Sequence, residues 1–174
     1  MSLAEKAVKR VIEFGASEAE AYFQSEKVLW IEFDDKIECF KVTESSGLGL
    51  RAALGKKVAA YSTSNISLEG IGEAAEKVVK IAKVMPEDLE WRHFNMRFGK
   101  SDALGYYDKS LEDIEYGNVA EKIYTAIKRI REYDSRVKPA RGLLAIATTR
   151  TAIANCYGGE FERMESGVSA WVRA

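Results

Sequence analysis

The sequence predicts an α+β fold, a mostly antiparallel sheet built from hairpins with about three helices packed on it. Two patterns indicate this class. Apolar residues recur at helical spacing in three segments, and β-branched and aromatic residues alternate with polar ones between those segments. Helices that interrupt groups of hairpins are typical of an antiparallel sheet covered on one side. The length of 174 residues suits a single domain, residues 1–174.

The first helix is predicted to begin after Ser2 and to end at Gly15. Ser2 and Glu5 fit a capping box, in which each side chain accepts a hydrogen bond from a free backbone N–H at the helix start. Glycine accepts the left-handed conformation that follows a last helical turn. Strands are then expected at 19–25, 28–33, 37–42, 47–54 and 58–63.

Two polar turns, residues 34–36 and 55–57, join the strands of this half into hairpins. Gly47 and Gly49 lie inside a predicted strand. A glycine weakens a strand unless another group approaches closely or the strand bulges. Both positions are therefore marked, either for a close approach or for a bulge.

The second helix is predicted over Ser67–Met85, because Pro86 excludes the helical conformation from the residue before it. Residues 87–109 show little periodicity and are predicted as an irregular connection with a short strand at 103–107. A connection of this length is uncommon in a compact domain and indicates either a function or a missed element.

The third helix is predicted over Leu111–Tyr133, with Pro139 beyond its end. Strands are then expected at 143–148, 151–155 and 161–173, with a turn at 156–159. Both halves of the chain thus follow a helix with strands, and residues 47–52 faintly resemble residues 168–174. An internal duplication is possible on this pattern.

Composition excludes several classes of protein. No run approaches the about 20 apolar residues of a membrane span, and the N-terminus lacks the apolar core of a signal peptide. The net charge is −1, and the basic run 128–131 is followed at once by Glu132 and Asp134, so we interpret it as a solvated helix face. We expect a cytoplasmic protein with no nucleic-acid or membrane partner.

The two cysteines, Cys39 and Cys156, lie far apart in the sequence and form no CxxC motif. In a cytoplasmic protein such cysteines are most often buried, reduced and inert. A disulfide between them stays open as an alternative.

No residue is predicted to be catalytic, cofactor-binding or metal-binding. Zinc catalysis needs three protein ligands, and the chain has one histidine, His93, in an aromatic patch. Serine or cysteine nucleophiles need a positioned base, for which His93 is again the one candidate. The run 45–49 opens a strand and lacks the Lys of a phosphate loop.

Two groups of carboxylates have ordinary structural explanations. Asp34 and Asp35 suit a turn, and Glu112, Asp113 and Glu115 suit a helix start, where negative charge is favourable. An enzyme that uses two carboxylates stays open and would require a pocket with displaced pKa values. The three tryptophans, Trp30, Trp91 and Trp171, are predicted to be core or interface residues.

The order of several short segments resembles the N-terminal domain of the TldD/PmbA family. In this order the matching segments are Gly15–Tyr22, Asp35–Glu38, Gly47–Arg51, Tyr61–Asn65, Leu104–Asp108 and Thr151–Gly158. The sequence departs from the family pattern at Asp35, which takes a glycine position, and at Cys156, which takes a serine position. The resemblance spans nearly the whole chain.

The resemblance implies a cytoplasmic, dimeric zinc metallopeptidase, of a family once called modulators of DNA gyrase. The zinc motif of that family lies in a C-terminal domain that this chain lacks, so no cofactor is expected here and the chain alone is expected to be inactive. The implied role is to shape a cavity for unfolded peptides and to contribute to a homodimer or a heterodimer with a related member.

The strand pattern still runs at Ala174, so we expect either a truncated form or a naturally short protein. A short domain that ends with an edge strand is the other explanation. An exposed antiparallel edge could receive an extended peptide by strand addition. The rival hypothesis is a stand-alone interaction or ligand-binding module without peptidase activity.

Overall fold

The computed structural model describes residues 2–98, 106–134 and 136–174. Within these ranges the chain forms four helices and five strands. In chain order they are α1 (Leu3–Glu13), β1 (Glu18–Phe33), β2 (Ile37–Leu54), β3 (Lys57–Thr63), α2 (Leu68–Val84), α3 (Lys109–Glu112), α4 (Tyr116–Tyr133), β4 (Arg141–Asn155) and β5 (Glu160–Arg173).

The strands form one antiparallel sheet in the order β3-β2-β1-β4-β5. Consecutive strands joined by short turns lie side by side at both ends of this order, as in hairpins. The predicted α+β class is therefore confirmed, with four helices where about three were expected. None of the helices in the described ranges has the length and hydropathy to cross a membrane.

The caps and turns predicted from local sequence are confirmed. The Ser2 hydroxyl accepts from the Glu5 N–H at 3.2 Å, and the Glu5 carboxylate accepts from the Ser2 N–H at 2.6 Å. Gly15 has a φ of 101°, as expected after a helix end. Gly55 has a φ of 60° in the two-residue turn between β2 and β3, which suits a type II′ hairpin.

The predicted number of strands was wrong. The expected strands 19–25 and 28–33 form one strand, β1, and 37–42 and 47–54 likewise form β2. Residues 143–148 and 151–155 are joined in β4. The segments between them contain no proline and no glycine with positive φ, so nothing in the backbone interrupts the ladder.

The predicted third helix is broken into α3 and α4. Leu111, Ile114 and Tyr116 all pack against the same core as Val119. In one continuous helix Ile114 would lie about 140° around the axis from Val119, because each residue adds about 100°. The break brings Ile114 onto the core. Of the predicted strand 103–107, residues 103–105 lie outside the described residues, and the other two are not in a strand.

The chain divides into two compact units. The first comprises Met1–Ser25, Ser45–Asp102 and Arg150–Arg163. Its core is formed where α1 and α2 cover one face of the strands, and it contains many alanines, with Val11, Leu48, Leu50, Ile71 and Val78 as large buried members. Small residues allow helices to lie close to a sheet, so the residue sizes on this face fit the two-layer packing.

The second unit comprises Glu26–Glu44, Ala103–Thr149 and Met164–Ala174. Its core consists of one face of α4 packed on strand residues, and its buried members are Leu29, Ile31, Phe33, Val119, Ile123, Ile127 and Ile146. Exposed side chains of α4 form ion pairs, among them Arg131 with Asp35 at 3.0 Å and Lys128 with Glu132 at 3.7 Å. The prediction of a solvated helix face at 128–131 is confirmed.

The Glu32 carboxylate in the second unit has a lowered pKa. The Trp30 indole Nε1–H donates to Glu32 Oε1 at 3.1 Å, and the Arg141 guanidinium donates to Glu32 Oε2 at 3.1 Å. These two hydrogen bonds favour the ionised carboxylate and hold the pKa of Glu32 below its usual value. Trp30 itself is 38% exposed and is therefore not a core residue, so the other predicted place, an interface, stays a prediction.

We expect the stabilising contribution of Glu32 to disappear in acid. Because its pKa is lower in the folded state, the contribution is present above the unfolded-state pKa, about 4.3. It is lost as the pH falls through the folded-state value. The melting temperatures of wild type and Glu32→Gln, measured by circular dichroism, should differ more at pH 7 than at pH 3. A difference that is the same at both pH values would contradict this assignment.

Candidate functional site

The open face of the sheet in the first unit carries the candidate site. Strand residues alternate between two faces, and Leu48, Leu50 and Ala52 point to the core. The residues between them, including Gly49 and Arg51, point to the other face. Cross-strand partners share a face, so Ser62 lies beside Gly49 and Ala60 beside Arg51 on this open side.

A shallow trough of about 290 Å³ crosses the three strands on this side. Its floor is low because glycine and alanine occupy neighbouring strands, and the Tyr22 side chain, 44% exposed, stands at one wall. The residues that line it are Glu20, Tyr22, Gly49, Leu50, Arg51, Ala60, Tyr61 and Ser62. The trough contains both charged and apolar groups.

The fold of this chain does not require glycine at position 49. Its φ is not positive, and a Cβ atom built there would lie 3.8 Å from the Tyr22 carbonyl oxygen, an ordinary contact. Gly47 has the same character, with the Thr63 carbonyl oxygen at 3.8 Å. No group of the described chain approaches either glycine closely, and the ladder between β2 and β3 runs past Gly49 without a bulge. Because glycine has no side chain, the two glycines leave space above the backbone on the open face.

Arg51 is held in place at the other wall of the trough. Its guanidinium donates to Glu20 at 3.1 Å, and it lies 4.8 Å from the Phe94 ring centroid and 6.0 Å from that of Trp91. Phe94 is buried, and its N–H donates to the Glu18 carboxylate at 2.8 Å. Because Arg51 is paired with Glu20, this wall offers little net charge.

The outer side of β3 is an open edge next to the trough. β3 is the last strand of the sheet, and its hairpin with β2 closes on the pair Leu54–Lys57 across a two-residue turn. From Lys57 onward, alternate residues bond to β2, so Ala60 and Ser62 point their N–H and C=O groups outward. Among the described residues no backbone hydrogen bond reaches these groups from outside.

The single histidine is a surface residue. His93 is exposed, its Nδ1–H donates to the Phe94 carbonyl oxygen at 2.6 Å, and its ring lies 6.4 Å from that of Tyr157. In the described ranges no group of three or more His, Cys, Asp or Glu side chains could hold a metal ion. A zinc site needs three such ligands, so the described residues do not fit one.

The two cysteines are free, and both are half-buried where burial was expected. Cys156 lines a groove of about 740 Å³ beside α1. The turn that follows it is organised by Asn155, a buried side chain whose Oδ1 accepts from the N–H groups of Tyr157 at 3.0 Å and Gly159 at 3.2 Å. Asn155 thus has a structural role in the turn.

The candidate carboxylates are not brought together with these residues. Asp35 pairs with Arg131, and Asp34 Oδ1 accepts from the Lys36 N–H in the turn. Glu112 accepts from the Tyr107 hydroxyl, which raises the pKa of Tyr107 to about 12. All of these contacts are on the surface. The turn predicted at Asp34 and Asp35 is confirmed. The helix start predicted at Glu112, Asp113 and Glu115 was wrong for the first two, because Glu112 ends α3 and Asp113 is its C-cap, whereas Glu115 is the N-cap of α4.

Tyr22, Ala60 and Ser62 are site residues that the sequence did not predict. The available signal was the run of small residues on neighbouring strands, at Gly47, Gly49 and Ala60. These small residues indicate a trough only once the strand register is known, because the register places Gly49 beside Ser62.

Comparison with known proteins identifies what the chain is similar to. A family model described as PmbA/TldA metallopeptidase domain 1 matches residues 19–82. The fold is similar to that of TldE from Thermococcus kodakarensis, with a TM-score of 0.87 and 17% identity, over 98% of this chain and 38% of that chain. The predicted resemblance to the N-terminal domain of this family is confirmed.

Two further solved structures are candidate modulators of DNA gyrase. The one from Bacteroides thetaiotaomicron has a TM-score of 0.81 and 14% identity, over 97% of this chain and 39% of that chain. The one from Thermotoga maritima has a TM-score of 0.74 and 12% identity, over 97% of this chain and 38% of that chain. The chain thus spans about two fifths of the length of these structures. No curated protein matches the sequence.

Proposed function

We propose that this chain, which has the fold and over residues 19–82 the sequence pattern of a PmbA/TldA first domain, is a non-catalytic domain that binds extended polypeptide. In this role it forms part of the cavity through which an unfolded peptide reaches a metallopeptidase centre outside these residues. The observation that supports the proposal is the open outer edge of β3 beside the trough. Peptide bond cleavage is assigned to no residue of this chain.

The edge of β3 offers the main-chain groups that strand addition requires. A peptide laid antiparallel to β3 would exchange hydrogen bonds with the N–H and C=O groups of Ala60 and Ser62. Such bonds involve only the peptide backbone and make little demand on its sequence. This suits a domain that receives unfolded peptides of varied sequence.

The trough supplies a place for one side chain of the bound peptide. A residue opposite Ser62 has its side chain on the open face, directed over Ser62 and Gly49 toward Tyr22. Neighbouring strands lie about 4.8 Å apart, so a long side chain spans the small Ser62 and reaches above Gly49. The paired charges of Arg51 and Glu20 favour a neutral side chain there.

The remaining parts of the proposal come from the family resemblance. We place the protein in the cytoplasm as a homodimer or a heterodimer with a related member. The zinc of the family would be supplied by a domain other than this one.

A titration with an extended peptide tests the proposed binding edge. The probe is a soluble ten-residue peptide of alternating threonine and leucine with lysine at both ends, added to millimolar concentration. We expect amide chemical-shift changes centred on Ala60 and Ser62. The same peptide N-methylated at every backbone amide has no N–H group to donate on either edge and should leave those signals unchanged. Unchanged spectra with the unmodified peptide would exclude the proposal for this chain.

The variant Gly49→Val tests the trough separately from the edge. The added Cβ meets only an ordinary contact, so the fold should be retained while the two methyl groups fill the floor. We expect the dissociation constant for the peptide to rise about tenfold, which corresponds to about 1.4 kcal/mol. The matched control is Gly167→Val on β5, where a Cβ meets nothing within 4 Å. Equal affinities of both variants would remove the trough from the site.

A further inference from the structure

The side of the β3 edge that faces α2 carries a lysine and a tyrosine next to each other. The side chains of Ala59 and Tyr61 pack on the core that β3 shares with α2, so the odd-numbered residues of β3 face this helix. The Lys77 ammonium on α2 lies 5.5 Å from the centroid of the Tyr61 ring. The helix side of the edge therefore differs in chemistry from the trough on the open side.

The Lys77 ammonium and the Tyr61 hydroxyl have no hydrogen-bond acceptor or ion-pair partner within the described residues. Glu73 lies four residues before Lys77, a spacing at which opposite charges commonly pair. On the same helix Lys80 does pair with Glu76, at 2.7 Å. Lys77 is instead directed over Tyr61 on the edge strand, so two donors on this side are available to a ligand.

A bound peptide would bring one side chain to these two donors. On a peptide that lies antiparallel to β3, the residue opposite Ser62 enters the trough, and the residue that follows it lies opposite Tyr61. Its side chain is on the helix side, because successive residues of a strand alternate between the two faces. Directly opposed Cβ atoms are about 4.5–5.5 Å apart, so this side chain contacts the Tyr61 ring beneath the Lys77 ammonium.

We propose that the β3 edge prefers extended peptides with an acidic residue directly after the residue in the trough, and that Lys77 determines this preference. The inference rests on the peptide binding proposed above and names the class of peptide. A carboxylate opposite Tyr61 accepts from the ammonium and from the phenolic hydroxyl, and charge-assisted hydrogen bonds are stronger than neutral ones. A lysine or arginine at the same position meets a like charge and offers no acceptor.

The two faces of the edge thus select different side chains. On the open side Arg51 is neutralised by Glu20 at 3.1 Å, which favours a neutral side chain in the trough. On the helix side no ion pair within the described part of the chain neutralises Lys77. The preferred pattern is a neutral residue followed by an acidic one, and the backbone hydrogen bonds make little demand on the remaining residues.

Exchange of one peptide residue tests the preference. Three probes are made from the ten-residue threonine–leucine peptide by replacing one central threonine, which follows a leucine, with glutamate, glutamine or lysine. Titrations followed by the amide chemical shifts of Ala60 and Ser62 give the three dissociation constants. We expect the glutamate peptide to bind about threefold more tightly than the glutamine peptide, as for an exposed ion pair, and the lysine peptide to bind most weakly.

The charge-reversal variant Lys77→Glu tests whether this residue determines the preference. In this variant the order of the peptides should reverse, with the lysine peptide about threefold tighter than the glutamine peptide. The matched control is Lys9→Glu, which changes the net charge equally at an exposed residue of α1 beside the turn between β4 and β5. Lys9→Glu should keep the wild-type order. Both substitutions are at exposed helix positions, so both variants should fold.

The possible failures of this inference and of the peptide site can be told apart. Equal affinities of the three peptides, each still shifting the Ala60 and Ser62 signals, would overturn the preference and leave the peptide site standing. An unchanged order of affinities in Lys77→Glu would assign the preference to another group and overturn the role of Lys77. If none of the peptides shifts these signals, the peptide site is excluded and the preference with it.

Discussion

Replacement of Ile71 by alanine is expected to lower the free energy of unfolding by about 3–4 kcal/mol. Ile71 is 1% exposed and belongs to the core between α2 and the sheet. Its loss removes buried apolar area and leaves a cavity that tightly packed neighbours close only in part. Because the free energy of unfolding of small proteins is about 5–15 kcal/mol, this single substitution would remove a large fraction of the total stability.

The matched control for this prediction is Leu68→Ala. Leu68 lies one turn earlier on α2 and is 67% exposed, so its truncation is expected to change stability by less than about 0.5 kcal/mol. Urea denaturation followed by circular dichroism compares the two variants with wild type. Similar midpoints for Ile71→Ala and Leu68→Ala would show that α2 does not pack on the sheet as described.

The second large effect is expected at Gly70. Alanine has a higher helix propensity than glycine, but at this position it should destabilise α2. A Cβ atom at Gly70 would overlap the Asn65 side chain and carbonyl oxygen. Asn65 cannot move easily, because its Oδ1 accepts from the Ser67 N–H at 3.2 Å and from the Ser67 hydroxyl at 2.8 Å. We expect Gly70→Ala to cost about 1–3 kcal/mol, as overpacking does elsewhere.

Gly72→Ala on the same helix has the opposite expected sign. Nothing lies within 4 Å of a Cβ at Gly72, so alanine should stabilise α2 by about 0.5–1 kcal/mol through its helix propensity. Thermal melts of the two variants give the comparison directly. If both substitutions raise the melting temperature, the loop at Asn65 does not approach α2 as closely as described.

Local sequence signals predicted the ends of elements better than their continuity. Ser67 accepts from the Gly70 N–H at 3.1 Å and begins α2, and Pro86 follows its end, as predicted. Cap and turn chemistry acts over three or four residues, which a single sequence displays fully. The strands were divided too often, because polar residues such as Ser45 and Ser46 look like a turn, although the ladder continues through them.

The candidate site could be predicted only in part. The sequence marked Gly49 for a close approach or a bulge, and the described chain has neither at this position. Its neighbour Ser62 is 13 residues away along the chain and is brought beside it by strand register, which alternation alone does not specify. The segment around Phe94 was predicted as an irregular connection, and its packing against Arg51 depends on the folded sheet.

By itself the sequence determined the α+β class, the helix caps, the glycine turns and the resemblance to the TldD/PmbA family. These features depend on residue type and short-range spacing, since caps, turns and periodicity involve residues a few positions apart. The tertiary structure alone decided the strand order, the break between α3 and α4, and the open edge at Ala60. Those features depend on pairing between distant segments, because a backbone group is satisfied or left open only once its neighbouring strand is known.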